Sequence, residues 1–504
     1  MPIAKLFLLF SFSLIGFGYA SAQTAPDTVK IAKQWRDKGK YKKAVSLLQA
    51  YHKHYPKDIN TLWLYAQTEF WRRHFKSSRK LYDQAIALQP DKDLVRLDYA
   101  HSLINMGDWK IADKVIKELE KKGRSYSDQL YLRAQISYYR GDYNQAKREV
   151  KQAIDSNTQS KPAKQLQEDI MRARAPWIRF GASYSTDNQP LQVVAPFVEA
   201  GIYLHRYSSL QMAVSTPLYI RGNNIANAQM ASIGNSSSFD EIGLLLKANI
   251  GIDKFAYQNK VNWTGDLYLQ KTFAKYLVID AYAGYQPYLY TSSSIDTALS
   301  VGHFKSSIGW NDQNFFNGKL GLDFNYMPGT NYVYTLYGYV FAPPIKFSFV
   351  QLRLGYGYSY SDSKKNDYSA SKPLDTIIKN FSSATAISGI YDPYFTPTGQ
   401  QIHSALISLR LNPVRQLEIG LTGNIGFYAY TQNPYLYLNK NAANEIYIAT
   451  GFSRQTYTPI DAGAYIQWQF AKKYSIKADY KYRSTYFYNS NAVCLSFKIS
   501  FWKS

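Results

Sequence analysis

Near the C-terminus four charged residues, Lys477, Asp479, Lys481 and Arg483, alternate with Ile476, Ala478, Tyr480 and Tyr482. A strand points successive side chains to opposite faces, so this spacing gathers the charges on one side and the apolar residues on the other. Arg353, Arg410 and Lys498 recur in the same setting. Charges arrayed this way can set the selectivity of a pore. With Asp266, Asp280, Asp323, Glu418 and Asp461 on equivalent faces, they can equally neutralise one another as ion pairs, and both readings stay open. A second set follows a helical step: Trp63, Gln67 and Trp71; His101 and Asn105; Tyr131, Gln135 and Tyr139. Residues four apart share one helix face. Rings and amides there suit stacking on sugar rings and bonding to hydroxyls; the alternative is packing between helices. Bond-making chemistry has no candidate. There is no H-E-x-x-H, no cysteine cluster and no phosphate-binding glycine loop, and the 7 histidines are scattered. No catalytic residue, metal or cofactor is expected.

The elements that must carry the first set are strands. Val350, Leu352, Leu354, Tyr356, Tyr358 and Tyr360 alternate with Gln351, Arg353, Gly355, Gly357 and Ser359. The pattern recurs at Leu417–Tyr428, at Ile476–Arg483 and at Val493–Phe501. Two-faced segments of about ten residues mark a transmembrane β-barrel. Lipid offers no hydrogen-bond partners, so such a sheet must close on itself. A soluble sandwich with so many outward aromatic residues would aggregate. The first strand is expected from Trp177, with Ile178, Phe180, Ala182 and Tyr184 on one face. Short links are read near Arg206-Tyr207-Ser208, Ala274-Lys275, Pro343-Pro344, Asn412-Pro413 and Lys472-Lys473, and long polar connections at Gly222–Phe239, Asp362–Gln400 and Gln432–Pro459. This gives about fourteen strands, with twelve or sixteen as alternatives. Asp240–Asp253 suits a strand or a short helix.

The chain has 504 residues, a net charge of +23 and 46 tyrosines, with a mean hydropathy of −0.35. Alternating polar faces keep the average low in a barrel. Residues 1–22 read as a secretory signal: Lys5, the run Leu6-Phe7-Leu8-Leu9-Phe10, and Ala20-Ser21-Ala22 before a cut at Gln23. A signal followed by a barrel places the chain in the outer membrane of a Gram-negative bacterium, with the N-terminal domain in the periplasm. Cys494 is the sole cysteine, so no intrachain disulfide can form. The basic balance favours acidic partners such as lipid phosphates or an anionic polymer, or reflects solvated lysines; nucleic acid is not expected outside the cytoplasm.

Residues 23–160 carry repeats. Gly39, Arg73, Gly107 and Gly141 keep a 34-residue step, as do Tyr41, Phe75, Trp109 and Tyr143. Small residues keep it too, at Ala32, Ala66, Ala100 and Ala134, and at Ala44, Ser78, Ala112 and Ala146. This is the tetratricopeptide period, and four repeats stack into a solenoid with a concave face. That face is expected to hold the eight residues of the second set. Residues 161–176 read as a capping helix and linker, and 177–504 as the barrel. The fold class is therefore an all-α tetratricopeptide solenoid followed by an antiparallel β-barrel.

Tetratricopeptide repeats joined to a C-terminal barrel resemble the YaiO-type outer-membrane proteins. In architecture the chain is also similar to the export porins for poly-N-acetylglucosamine and to the outer-membrane subunit of cellulose secretion. The likeness spans the mature chain, although those exporters carry more repeats and this chain ends Trp502-Lys503-Ser504 rather than on an aromatic residue. The resemblance implies export of an exopolysaccharide, with the repeats docking the polymer or an inner-membrane synthase. Two other readings stand beside it: a plugged barrel anchoring a scaffold for envelope assembly, and an outer-membrane enzyme.

Overall fold

A computed structural model describes residues 25–502 apart from 122–126, 189–190, 240–241, 257–260, 274–275, 290, 313–314, 380–386 and 487. The expected signal segment 1–22 and the expected turn at Ala274-Lys275 lie outside the described residues. The chain divides into two compact units. One comprises residues up to Ile136 with Arg148–Lys164; the other comprises Ser137–Lys147 and Gln165–Ser504.

The repeats are helix pairs: Ala25–Asp37 (α1) with Tyr41–His54 (α2), Ile59–Trp71 (α3) with Phe75–Leu88 (α4), Asp93–Met106 (α5) with Trp109–Lys121 (α6), and Ser127–Tyr139 (α7) with Tyr143–Ser156 (α8). Lys161–Arg174 (α9) follows. All eight small residues of the repeat are 0% exposed. They let the paired helices approach, and a larger side chain there would force them apart. The four turn positions share one backbone shape, with φ of 70° at Gly39, 68° at Arg73, 78° at Gly107 and 72° at Gly141. The same closing bonds recur: Arg73 N–H donates to Phe70 O and His74 N–H to Glu69 O, as Gly107 and Asp108 donate to Ile104 and Leu103. Three repeats meet this left-handed cap with glycine, and the second does so with arginine, whose Cβ makes the conformation unfavourable. Arg73→Gly should therefore stabilise the solenoid by about 1 kcal/mol. The helical signal of the full chain in detergent should then melt about 2–4 °C higher. An unchanged melting curve would show that the arginine cap carries no strain.

The barrel strands are Trp177–Asp187 (β1), Gln192–His205 (β2), Ser208–Ser215 (β3), Asn224–Phe239 (β4), Leu244–Phe255 (β5), Val261–Phe273 (β6), Leu277–Pro287 (β7) and Ser300–Asn311 (β8). They continue with Asn317–Met327 (β9), Asn331–Phe341 (β10), Val350–Ser363 (β11), Gln400–Val414 (β12), Leu417–Lys440 (β13), Ile460–Ala471 (β14), Tyr474–Ser484 (β15) and Asn489–Ser500 (β16). Each pairs antiparallel with the next, and β1 pairs with β16 from Trp177↔Ser500 to Asp187↔Ser490, which closes a ring of 16 strands. Closure leaves no sheet edge, as lipid requires. On every strand the outward face exposes a large apolar side chain, from Ile178, Val198 and Met212 to Ile466, Tyr480 and Leu495. That continuous apolar belt on a closed barrel is a membrane-spanning surface. Among the described residues no helix is long and apolar enough to cross a membrane.

The count of sixteen corrects the expected fourteen. Gly222–Phe239, read as a polar connection, contains β4. Its two faces both carry Ala, Asn and Ser, so alternation is faint. The undecided stretch from Asp240 is strand from Leu244 onward. Asn412-Pro413 is no turn; it lies at a register shift within β12, and the chain turns at Arg415-Gln416. Much of Gln432–Pro459 is ordered as well: β13 runs on to Lys440 and pairs with Ile446–Tyr457 as a hairpin.

At the end with the long connections, the β11–β12 loop is stitched to both sides of the ring. Its Tyr394 is 4% exposed, packs with Val301, Met327 and Val333, and its hydroxyl donates to Pro328 O at 3.0 Å. Its Tyr391 hydroxyl meets that of Tyr486, between β15 and β16, at 3.2 Å. Six of the sixteen strand steps separate these anchors, so the loop is tied to two distant parts of the rim. At the other end, within the same unit, the Tyr203 hydroxyl donates to Gly141 O at 2.9 Å and accepts from Tyr143 N–H at 3.2 Å.

Candidate functional site

In the first unit the candidate is a groove centred on Asp98 of α5. One carboxylate oxygen, Oδ2, accepts from Trp63 Nε1 at 2.5 Å, Gln67 Nε2 at 2.8 Å and the Tyr82 hydroxyl at 2.6 Å. Arg36 donates to Gln67 Oε1 at 2.5 Å. Tyr82 is 0% exposed. Burial first, and the Asp98 charge next, push its hydroxyl far above the ordinary tyrosine range, so it stays a donor. A cavity of about 620 Å³ opens beside this knot, lined by Gln67, Trp71, His101 and Asn105 with Arg36, Asp37, Tyr41, Phe70, Asp98 and Ser102. Trp71 is 57% exposed, a ring free to stack.

Four of the eight expected groove residues thus meet in one place. The others do not join it. Trp63 is spent on Asp98 and packs against the core. Gln135 donates to the Tyr131 hydroxyl at 2.8 Å, and Tyr131 also packs against the core. Tyr139 belongs to the second unit, its ring 5.5 Å from that of Tyr138. Asp98 and Arg36 were missed. The signal for Asp98 was present: it holds the register position that Leu64 and Leu132 fill in neighbouring repeats, where both leucines are buried. An acid in a core position needs partners, and three donors supply them.

In the second unit the candidate is the barrel lumen. Strand register places Arg353, Arg410, Lys477, Asp479, Lys481, Arg483 and Lys498 on the inward face, as expected from alternation. Most of the charge is paired. Arg410 lies 3.6 Å from Glu418, Lys477 2.7 Å from Asp479 and Arg483 3.0 Å from Asp461. Lys319 lies 2.9 Å from Asp280, and both Lys305 and His303 reach Asp323, at 3.0 and 2.7 Å. Arg179 pairs with Glu199. Lys498 instead sits over the Trp177 ring at 4.4 Å, and among the described residues Lys481 has no carboxylate within 4 Å. The expected charged row is therefore largely neutralised.

The lumen has a second feature that alternation alone does not reveal. Inward glycines face inward aromatic residues directly across the ladder: Gly181 and Phe197, Gly201 and Trp177, Gly321 and Tyr337, Gly355 and Phe341, Gly420 and Tyr465. A Cβ at Gly420 would stand 2.1 Å from the Tyr465 ring, and one at Gly321 would stand 2.5 Å from that of Tyr337. The rings therefore lie against the wall over the glycines. This arrangement covers the bare strand backbone and leaves aromatic faces turned to the lumen. Tyr465 is held in place by a hydrogen bond to Glu418. A cavity of about 850 Å³ runs along β10 and β12–β16, touching Tyr339, Asp461, Lys481 and Arg483.

No family model and no curated protein matches the chain. Among solved structures it is similar to a bacterial polysaccharide outer membrane secretin, at 10% identity over 65% of this chain and 99% of that one, with a TM-score of 0.45. It is similar to the translocator domain of the autotransporter NalP from Neisseria meningitidis, at 9% identity over 65% and 88%, with a TM-score of 0.26. A tetratricopeptide repeat protein from Parabacteroides merdae matches at 15% identity over 31% and 60%, with a TM-score of 0.28. These scores are all below 0.5, and the fold stands on the helix packing and strand pairing themselves: a tetratricopeptide-like helical region followed by a closed 16-strand barrel.

Proposed function

We propose that the chain is an outer-membrane porin of a Gram-negative bacterium that exports an exopolysaccharide, with the repeats on the periplasmic side docking the polymer or its inner-membrane synthase. The YaiO-type resemblance belongs to the same reading, and no reaction is assigned to the chain. The observation that carries it is the row of lumenal rings laid over glycines. Flat, fixed aromatic faces among balanced charges offer a sugar chain weak, repeated stacking with few strong traps, as sliding requires. The Trp71 groove supplies a matching face on the repeats.

The test is single-channel conductance of the full chain in planar bilayers, with and without maltoheptaose. The proposal expects an open channel whose current the oligosaccharide interrupts reversibly, and more than polyethylene glycol of equal mass does. A conducting channel indifferent to both would overturn the sugar assignment. An absence of conductance would favour the second reading, a plugged barrel anchoring a docking platform; the loop tied to two distant parts of the rim is the observation on its side.

A further inference from the structure

The lumenal charge is balanced in sum but not in place. On β1–β7 the inward bases are Arg179 and Lys247, and the inward acids are Asp187, Glu199, Asp253, Asp266 and Asp280. On β8–β16 the bases outnumber the acids, and among the described residues Lys481 and Lys498 have no acid within 4 Å. Within the acidic arc, β5 and β6 oppose Asp253 to Asn262 and Asn249 to Asp266. The two amides hold the carboxylates, at 3.2 Å for Asp253 and 2.9 Å for Asp266. Amides orient a carboxylate without cancelling its charge. Among the described residues neither acid has a base within 4 Å, in contrast to Glu199 and Asp280.

These two acids and Glu199 line a cavity of about 550 Å³ that has no lysine or arginine among the described residues of its wall. Asp253 is 2% exposed, and its Oδ1 has no hydrogen-bond partner among the described residues. A buried carboxylate oxygen left this way favours a cationic donor. Lys247 lies on the same wall, and its ammonium sits over the Tyr268 ring, 5.8 Å from the centroid.

We propose that the lumen is built for a zwitterionic solute or polymer. Ammonium groups turn to the β5–β6 wall, and anionic groups turn to the β15–β16 wall at Lys481 and Lys498. A uniformly charged chain would meet one attractive wall and one repulsive wall, whereas a chain carrying both signs meets two attractive ones. This rests on the porin reading and names the class of its cargo.

The test compares three six-carbon tracers, 6-aminohexanoate, 1,6-diaminohexane and adipate, entering proteoliposomes that hold the full chain at low ionic strength. Each rate is normalised to L-arabinose in the same vesicles. The zwitterion should enter about threefold faster than either like-charged tracer, a modest effect for a charge-lined passage. In Asp253→Asn/Asp266→Asn this preference should fall and adipate should gain, and added salt should shrink it in the parent. Equal normalised rates, or an unchanged ranking in the double variant, would overturn the inference and leave the porin reading intact. Exclusion of arabinose itself would overturn the porin reading and the inference together.

Discussion

Replacing Asp98 with alanine should loosen the solenoid more than any other single change in the groove. Three donors converge on one oxygen of this residue. Without it, the Tyr82 hydroxyl keeps, among the described residues, only the Ser102 hydroxyl, at 3.2 Å, and the amide of Gln67 and indole N–H of Trp63 lose their acceptor. A buried donor left unpaired costs about 1–3 kcal/mol. Tyr82 is fully buried, while Trp63 and Gln67 are partly reached by water, so the sum should be about 3 kcal/mol rather than three full penalties. The helical melting transition of the full chain in detergent should drop by about 10 °C. Asp98→Asn retains an acceptor oxygen and should lose clearly less. Asp98→Leu restores the residue type of the neighbouring repeats, yet it should resemble alanine because the same donors are stranded. If alanine melts within about 2 °C of the parent, a margin worth under 1 kcal/mol, the three bonds do not hold the repeat together. If leucine alone restores the parent value, apolar filling rather than hydrogen bonding governs the position.

Asp98 also shows what the sequence discloses and what it does not. The repeat was legible because one geometric demand recurs every turn: small residues where helices touch, and a left-handed residue where they reverse. Arg73 could be placed by register although its type was wrong for the slot. The groove was half legible, because helical spacing says which residues share a face but not which of them a neighbouring helix captures; Trp63 and Tyr131 are captured, Trp71 is not. In the barrel, inward and outward faces followed from alternation wherever one face was apolar. They faded in β4, where Asn, Ser and Ala stand on both sides. The ion pairs were beyond reach for a different reason. Arg483 meets Asp461, and Arg410 meets Glu418, across strands whose relative register is set by turns and bulges such as the one after Leu411. The same holds for the glycine–aromatic pairs, since both members look unremarkable along the chain and matter only when opposed.

Gly420→Val should therefore narrow the lumen, while Gly423→Val, three residues along the same strand, should not. Gly420 faces inward, opposite Tyr465. A Cβ there would stand 2.1–2.8 Å from the nearest ring atoms, far inside van der Waals contact, and the neighbouring wall is backbone that cannot give way. The ring has one direction open to it, toward the lumen axis, and moving there strains its hydrogen bond to Glu418. Gly423 faces outward, and a Cβ there would meet nothing nearer than Ile407 Cβ at 3.9 Å, an ordinary contact. Overpacking of this kind costs about 1–3 kcal/mol, which a closed ring of strand pairs should survive. Both variants should then fold to the heat-modifiable, faster-migrating form on gels. Single-channel conductance should fall sharply in Gly420→Val alone, and Tyr465→Ala added to it should return the current to the parent level or above by removing the displaced ring. A Gly420→Val channel that conducts like the parent would mean that the Tyr465 ring does not border the conducting path, and the stacking row would lose its role in transport. A fall in Gly423→Val equal to that in Gly420→Val would instead trace the effect to the strand as a whole, since an outward methyl group touches lipid and has no access to the lumen.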